Sequence, residues 1–194
     1  DMHTFVRDRS LGLTHLASIT SNGTAAHSFG ENAISGDGRF VVFSSNDPVL
    51  VQGIDANGID DADVFVHDLT AATTALASVG LTGLTGNDSS GGGTMLDISG
   101  DARFVFFVSQ ASDLVAGDVN GYADVFRRDR ALGVTELISV GAAGQQGNHH
   151  SIEVRCSDDG QIVVFASYAS NLVAGDANSV VDLFVRNMAL GTTS

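Results

Sequence analysis

The chain has 194 residues and carries 23 acidic against nine basic side chains, a net charge of −14 at pH 7. All nine basic residues are Arg, and 20 of the acids are Asp, which with 23 Gly points to turns and caps and excludes a mainly helical chain. The hydrophobic fraction of 43% supports a core and excludes wholesale disorder, while the charge and the lack of a long apolar run exclude nucleic-acid binding and membrane insertion.

In chain order, the first predicted elements are two strands within residues 1–33, around His3-Thr4-Phe5. A strand then ends at Ile34-Ser35 and turns on Gly36-Asp37-Gly38, a hairpin signal. Arg39 to Ser44, Val64 to His67 and Thr74 to Val79 complete a four-stranded unit. The unit then repeats. Phe5, Phe65, Phe126 and Phe184 are 60, 61 and 58 residues apart, each closing a short motif such as Asp63-Val64-Phe65 or Asp124-Val125-Phe126. Ile34 to Phe40 returns as Ile98 to Phe104 and as Cys156 to Ile162. Asp113 to Asp118 returns as Asn171 to Asp176. Three markers in one order at one period define a repeat architecture.

The second strand of each unit is an unbroken apolar run: Phe40 to Phe43, Phe104 to Val108 and Ile162 to Ala166. A strand with one wet face alternates, so these runs predict short antiparallel sheets covered on both faces. The fold class expected is all-β: a β-propeller segment of four-stranded antiparallel blades, about three in this chain. The units fall at 1–33 (the last two strands of a blade), 34–97, 98–155 and 156–194 (a partial blade of about three strands).

The turn-strand Ser35-Gly36-Asp37-Gly38-Arg39-Phe40-Val41-Val42-Phe43, followed by Asp63-Val64-Phe65-Val66, resembles the TolB-type, WD-like β-propeller repeats over essentially the whole chain. The resemblance implies the fold. It also implies a secreted or periplasmic bacterial setting and a role in binding, scaffolding or gating. Cys156, Asn187 and Ala102 depart from the repeat pattern. About three blades do not close a ring, which typically has 4–8. The chain is therefore expected to be part of a longer propeller or to associate through its end blades. It begins at Asp1 with no signal peptide in view, as a mature or trimmed product would.

The loop between the second and third strands carries the motif-like chemistry. Asp55-Ala56-Asn57-Gly58-Ile59-Asp60-Asp61-Ala62-Asp63 has sister loops Asp118 to Asp124 and Asp176 to Asp182. Oxygen-bearing residues at alternate positions with a sharp turn are what a Ca²⁺ loop needs. The Asp55 loop resembles the calcium loops of integrin-α-type propellers, which implies ligands at Asp55, Asn57, position 59 and Asp63, with Asp61 beside them. Ile59 offers no side-chain oxygen. The shorter loops offer Asp118, Asn120 and Asp124, and Asp176, Asn178 and Asp182. The alternative is that these Asp and Asn close their own turns. Both readings stay open, and Ca²⁺ is the one cofactor considered.

His149-His150 reads as a solvated loop or as part of a binding surface at one end of the ring, with Asp88-Ser89 and His27-Ser28 at the aligned positions. Cys156 stands where Ile34 and Ile98 stand and reads as core packing; as a lone cysteine it allows no internal disulfide. Gly91-Gly92-Gly93 reads as a flexible loop, not a phosphate cradle. No nucleophile elbow, zinc-protease motif or phosphate loop is present, so no catalytic residue is expected. The expectation is a non-catalytic binding or scaffolding module with a protein partner or self-association. The alternatives are an extracellular assembly built by blade packing or strand exchange, and the non-catalytic propeller part of a larger hydrolase or peptidase.

Overall fold

The computed structural model describes every residue except Asp1, Ser21, Gln52, Ile59, Gly93, Thr94 and Ser179. The described residues form 14 strands and no helix. A two-stranded N-terminal pair, β1 (Phe5–Asp8) and β2 (Leu13–Leu16), precedes three four-stranded antiparallel sheets. The first sheet is β3 (Phe29–Ile34), β4 (Phe40–Ser45), β5 (Asp63–Asp68) and β6 (Thr73–Leu76). The second is β7 (Asp97–Ile98), β8 (Phe104–Ser109), β9 (Asp124–Asp129) and β10 (Val134–Leu137). The third is β11 (Ser151–Cys156), β12 (Ile162–Ser167), β13 (Asp182–Asn187) and β14 (Thr192–Thr193). Each is a simple meander, in which every strand pairs with its sequence neighbour.

Two boundaries differ from the sequence reading. The first full sheet opens at Phe29, not at residue 34, because β3 pairs with β4 across the Gly36-Asp37-Gly38 turn. The last unit, expected as a partial blade from 156, is a four-stranded sheet that opens at Ser151, because β11 pairs with β12.

The turn before each second strand is built by one repeated network. Ser35 Oγ donates to Asp37 Oδ1 at 2.5 Å, and that carboxyl accepts the Arg39 N–H at 3.0 Å. Ser99 with Asp101 and Ser157 with Asp159 repeat it. These bonds favour the ionised form and hold Asp37, Asp101 and Asp159 below the usual carboxylate range. The same turns tie the sheets together. Gly36 N–H donates to the Gly100 carbonyl at 3.0 Å, and Gly100 N–H to the Asp158 carbonyl at 2.7 Å.

Side-chain alternation distributes the apolar runs between seams. Val105 and Phe107 of β8 pack with Val42, Val64 and Val66 of the first sheet. Phe104, Phe106 and Val108 pack with Val154, Val163, Phe165 and Phe184 of the third. Phe43 and Phe65 turn the other way, beside Ala26 and Leu50. Stacked ring pairs recur at one register: Phe43 on Phe65 at 6.0 Å, Phe107 on Phe126 at 6.0 Å and Phe165 on Phe184 at 5.6 Å. Burying each such ring contributes about 1.5–3 kcal/mol. β4 and β8 are covered on both faces as expected. β12 is not: Ile162 and Val164 are exposed between buried Val163 and Phe165, because no sheet among the described residues lies beyond it.

Candidate binding surface at the loop end

The meander puts two kinds of loop at the same end of every sheet: those joining second to third strands, and those leading from one sheet into the next. The tight turns lie at the opposite end. The loop end carries the acidic segments, His149-His150 and both Tyr residues.

Each third strand begins with an Asp, and in the first two sheets that Asp is bonded across the sheet. Asp63 Oδ1 accepts Ser78 Oγ at 2.9 Å, and Asp124 Oδ1 accepts Ser139 Oγ at 2.5 Å. Each serine oxygen in turn accepts the N–H of the residue after the Asp, Val64 or Val125, at 3.0 Å. Burial disfavours the charged form and raises Asp63 to about 7 and Asp124 to about 6, against the lowering effect of the serine hydrogen bonds. Burial also raises Asp118. In the third sheet, Asp182 Oδ2 is buried without a hydrogen-bond partner.

Asp55, Asn120 and Asn178 close turns. Asp55 Oδ1 accepts the Gly58 N–H at 2.9 Å, and Asn178 Oδ1 that of Val180 at 3.1 Å. Asn120 Oδ1 takes the Tyr122 N–H at 2.9 Å, while its amide donates to Asp124 Oδ2 at 2.6 Å and to the Gly147 carbonyl at 3.1 Å. An amide that presents N–H groups to a carboxylate fills the place a cation would take. Asn57 Oδ1 likewise accepts from Thr85 Oγ1 at 3.3 Å. A cleft lined by Ser45, Asp47, Asp55, Asp61 and Asp63 marks the longest loop. Asp176, Asn178 and Asp182 line a shallower one. Among the described residues no group of three or more His, Cys, Asp or Glu is arranged to hold a metal ion. Ile59 and Ser179 lie outside the described residues.

Cys156 is half-buried against the second seam. Burial, followed by the neighbouring Asp97 carboxylate, pushes its thiol well above the usual range, and its N–H donates to Asp97 Oδ2 at 2.8 Å. Gly91 is no slack linker: its N–H donates to the Val108 carbonyl at 2.8 Å, and a Cβ there would meet Val64 Cγ2 at 2.8 Å. Gly93 lies outside the described residues.

Three features escaped the sequence reading. His149 and His150 join Tyr122 and Tyr168 in one ring cluster. Hydrogen bonds also show that His27, not Ser28, is the counterpart of His150: the His27 and His150 carbonyls both accept from the serine that ends the second strand. The third is the pairing of Asn148 with Ser170, which repeats that of Asn87 with Ser112 and locks neighbouring loops together. The Gly-Asn repeated at Gly86-Asn87 and Gly147-Asn148 was the available signal.

Four-stranded meanders stacked face on face at a fixed period are β-propeller blades. The chain has the architecture of TolB-like β-propellers. No family model and no curated protein matches the chain. Its fold is similar to a putative TolB from Agrobacterium tumefaciens, at 16% identity and a TM-score of 0.55 over 93% of this chain and 51% of that one. It is also similar to the tricorn protease, at 14% identity and a TM-score of 0.53 over 93% of this chain and 15% of that one. A third likeness is to an oligogalacturonate lyase from Vibrio parahaemolyticus, at 11% identity and a TM-score of 0.51 over 100% of this chain and 46% of that one. The chain thus spans about half, or much less, of these neighbours.

Proposed function

We propose that this chain is a non-catalytic binding or scaffolding β-propeller module of a secreted or periplasmic bacterial protein, engaging a protein partner through its loop end. The observation that carries this reading is the contrast between the two ends. The turn end repeats one network in all three sheets, whereas the loop end sets different side chains on an equally rigid frame. Binding chemistry concentrates on loops held by a fixed scaffold. The setting rests on the resemblance to TolB-type propellers. The acidic surface favours cationic partners over polyanions.

Photo-crosslinking from Val119, 83% exposed at the loop end, and from Leu132, 70% exposed at the turn end, tests this reading. Discrete adducts from position 119 and none from 132 support it. Substrate turnover by the purified chain, abolished by loop-end substitutions, overturns it.

A second reading is favoured by the bare face of the third sheet, where Val164, Leu183 and Val185 are exposed. Such a patch calls for cover, from further blades of a longer hydrolase or peptidase or from another chain in an extracellular assembly. Light scattering that shows concentration-dependent association, lost in Leu183→Asp, supports assembly; a monodisperse monomer at all concentrations rules it out.

A further inference from the structure

Tyr122, His149, His150 and Tyr168 form one cluster across the seam between the second and third sheets. Tyr122 stacks on His149 with centroids 5.1 Å apart and planes at 11°, and meets His150 edge-on at 4.9 Å. His149 contacts His150 at 5.3 Å and Tyr168 at 5.5 Å. The chain has only two Tyr and six His, so both Tyr and a third of the His meet here. His149 and Tyr168 are exposed, and Tyr122 and His150 are half-buried.

The fold does not require rings at these positions. In the preceding seam the same frame holds Asp61, Asp88, Ser89 and Gln110. There the Ala62 N–H donates to Ser89 Oγ at 3.2 Å, as the Ala123 N–H donates to His150 Nδ1 at 2.9 Å. The Gln110 N–H bonds the Ser89 carbonyl as the Tyr168 N–H bonds that of His150. A small hydroxyl thus does the structural work that His150 does. The ring surface is surplus to the architecture.

Its chemistry narrows the ligand. Each His Nδ1 accepts a backbone N–H, His150 from Ala123 and His149 from His150 at 2.8 Å. Each ring proton therefore sits on Nε2, which makes both imidazoles hydrogen-bond donors and unsuits them as metal ligands. The near-parallel contact of Tyr122 with His149 closes the gap that a cation cage would need. What remains is a plate of π faces, attractive to C–H groups, with N–H donors at its edge. The net charge of −14 disfavours anionic ligands. A pyranose offers a C–H face and hydroxyls that accept those donors.

We propose that this seam is a binding site for neutral oligosaccharides. The proposal rests on the reading of the loop end as a binding surface and adds a ligand class to it. Without Trp in the chain, tyrosine emission reports on this cluster alone. Titration with cellohexaose, mannohexaose and chitohexaose is expected to give a saturable emission change with at least one of them. Replacing His149→Asp with His150→Ser installs the residues of the first seam and keeps the backbone bond. That variant and Tyr168→Ala are expected to bind about tenfold or more weakly, with unchanged thermal unfolding, while Asp88→Asn binds as the parent does. Silence with all three sugars, or parental affinity in the His149→Asp/His150→Ser variant, overturns the proposal. If the sugars are silent while Val119 still crosslinks, the saccharide site falls and the binding-module reading stands. If shortened sugars accumulate, the site stands and the non-catalytic reading falls.

Discussion

The second and third sheets carry nearly the same sequence pattern in different surroundings. Phe104 to Val108 and Ile162 to Ala166 occupy the same strand position, yet β8 is buried throughout whereas β12 alternates between exposed and buried from Ile162 to Phe165. Their partner strands differ too: Phe126 and Val125 of β9 are buried, while Leu183 is 71% exposed beside buried Phe184. The third sheet also lacks a charge pair. Arg103 grips Asp129 through two nitrogens, with the closest contact at 2.7 Å, and Arg39 grips Asp68 likewise at 2.6 Å. The third sheet places Gln161 and Asn187 at those positions, and Asn187 Oδ1 caps the turn by accepting the Leu190 N–H at 3.0 Å. Blades of the same topology thus tolerate different surfaces, and what varies most between them is what lies against them.

The largest effect expected from this contrast is in core packing. Phe106→Ala should cost about 3–5 kcal/mol by urea unfolding, because the third sheet closes on that fully buried ring. Val164→Ala, at the equivalent position, should cost less than about 1 kcal/mol in the isolated chain. Equal costs would mean that the face of the third sheet is covered in solution.

Next in size is the response to pH. Native Asp63 and Asp124 keep their protons to about 7 and about 6, whereas the unfolded chain releases them near the ordinary Asp value. The native state binds more protons between these limits, so stability should fall as pH rises from about 4 to 7. Asp68 and Asp129, held low by hydrogen bonds from Arg39 and Arg103, act in the opposite sense and withdraw stability only below about 4. Asp63→Asn keeps an acceptor for Ser78 and removes the buried charge. It should gain roughly 2–4 kcal/mol over the parent at pH 8 and little at pH 4.5, read from melting curves. A parallel pH profile in the two proteins would refute that assignment.

The turns give a smaller contrast. Gly160 has φ +64°, and a Cβ there would lie 2.6 Å from Phe104 Cδ2 across the seam. Gly160→Ala should cost about 1–3 kcal/mol. Ala102 holds the same turn position in the second sheet at φ 60°, with its methyl buried in the first seam. Ala102→Gly relieves the backbone but empties that methyl site, so a change within about 1 kcal/mol is expected. Smallest of all is the response to Ca²⁺. Calorimetry should give no saturable heat in either the parent or Asp55→Ala, since the Asp55 carboxyl is engaged by Gly58. A saturable heat in the parent that is lost on that substitution would instead support the metal reading.

The period, the strand pattern and the repeated Asp positions were legible because they are local. A Ser-x-Asp turn needs only its own neighbours, and Asp37, Asp101 and Asp159 each build it alike. The opening at Phe29 was not legible, since Phe29-Gly30-Glu31-Asn32 lacks strand periodicity and becomes a strand only by pairing with β4. The ring cluster was hidden for a related reason. Tyr122, His149 and Tyr168 lie far apart in sequence, and only the stacking of one sheet on the next brings them together.

Local chemistry alone therefore decided the repeat: its period, its tight turns, and why Asp outnumbers Glu so heavily. Tertiary structure decided everything that depends on a neighbour. It determined which apolar face is covered, since an alternating side chain is buried only if a second sheet lies against it. It set the protonation of Asp63 and Asp124, which follows from burial. It also showed that Asp55 and Asn120 each spend a side-chain oxygen on their own loop backbone, and that four rings meet at a single seam.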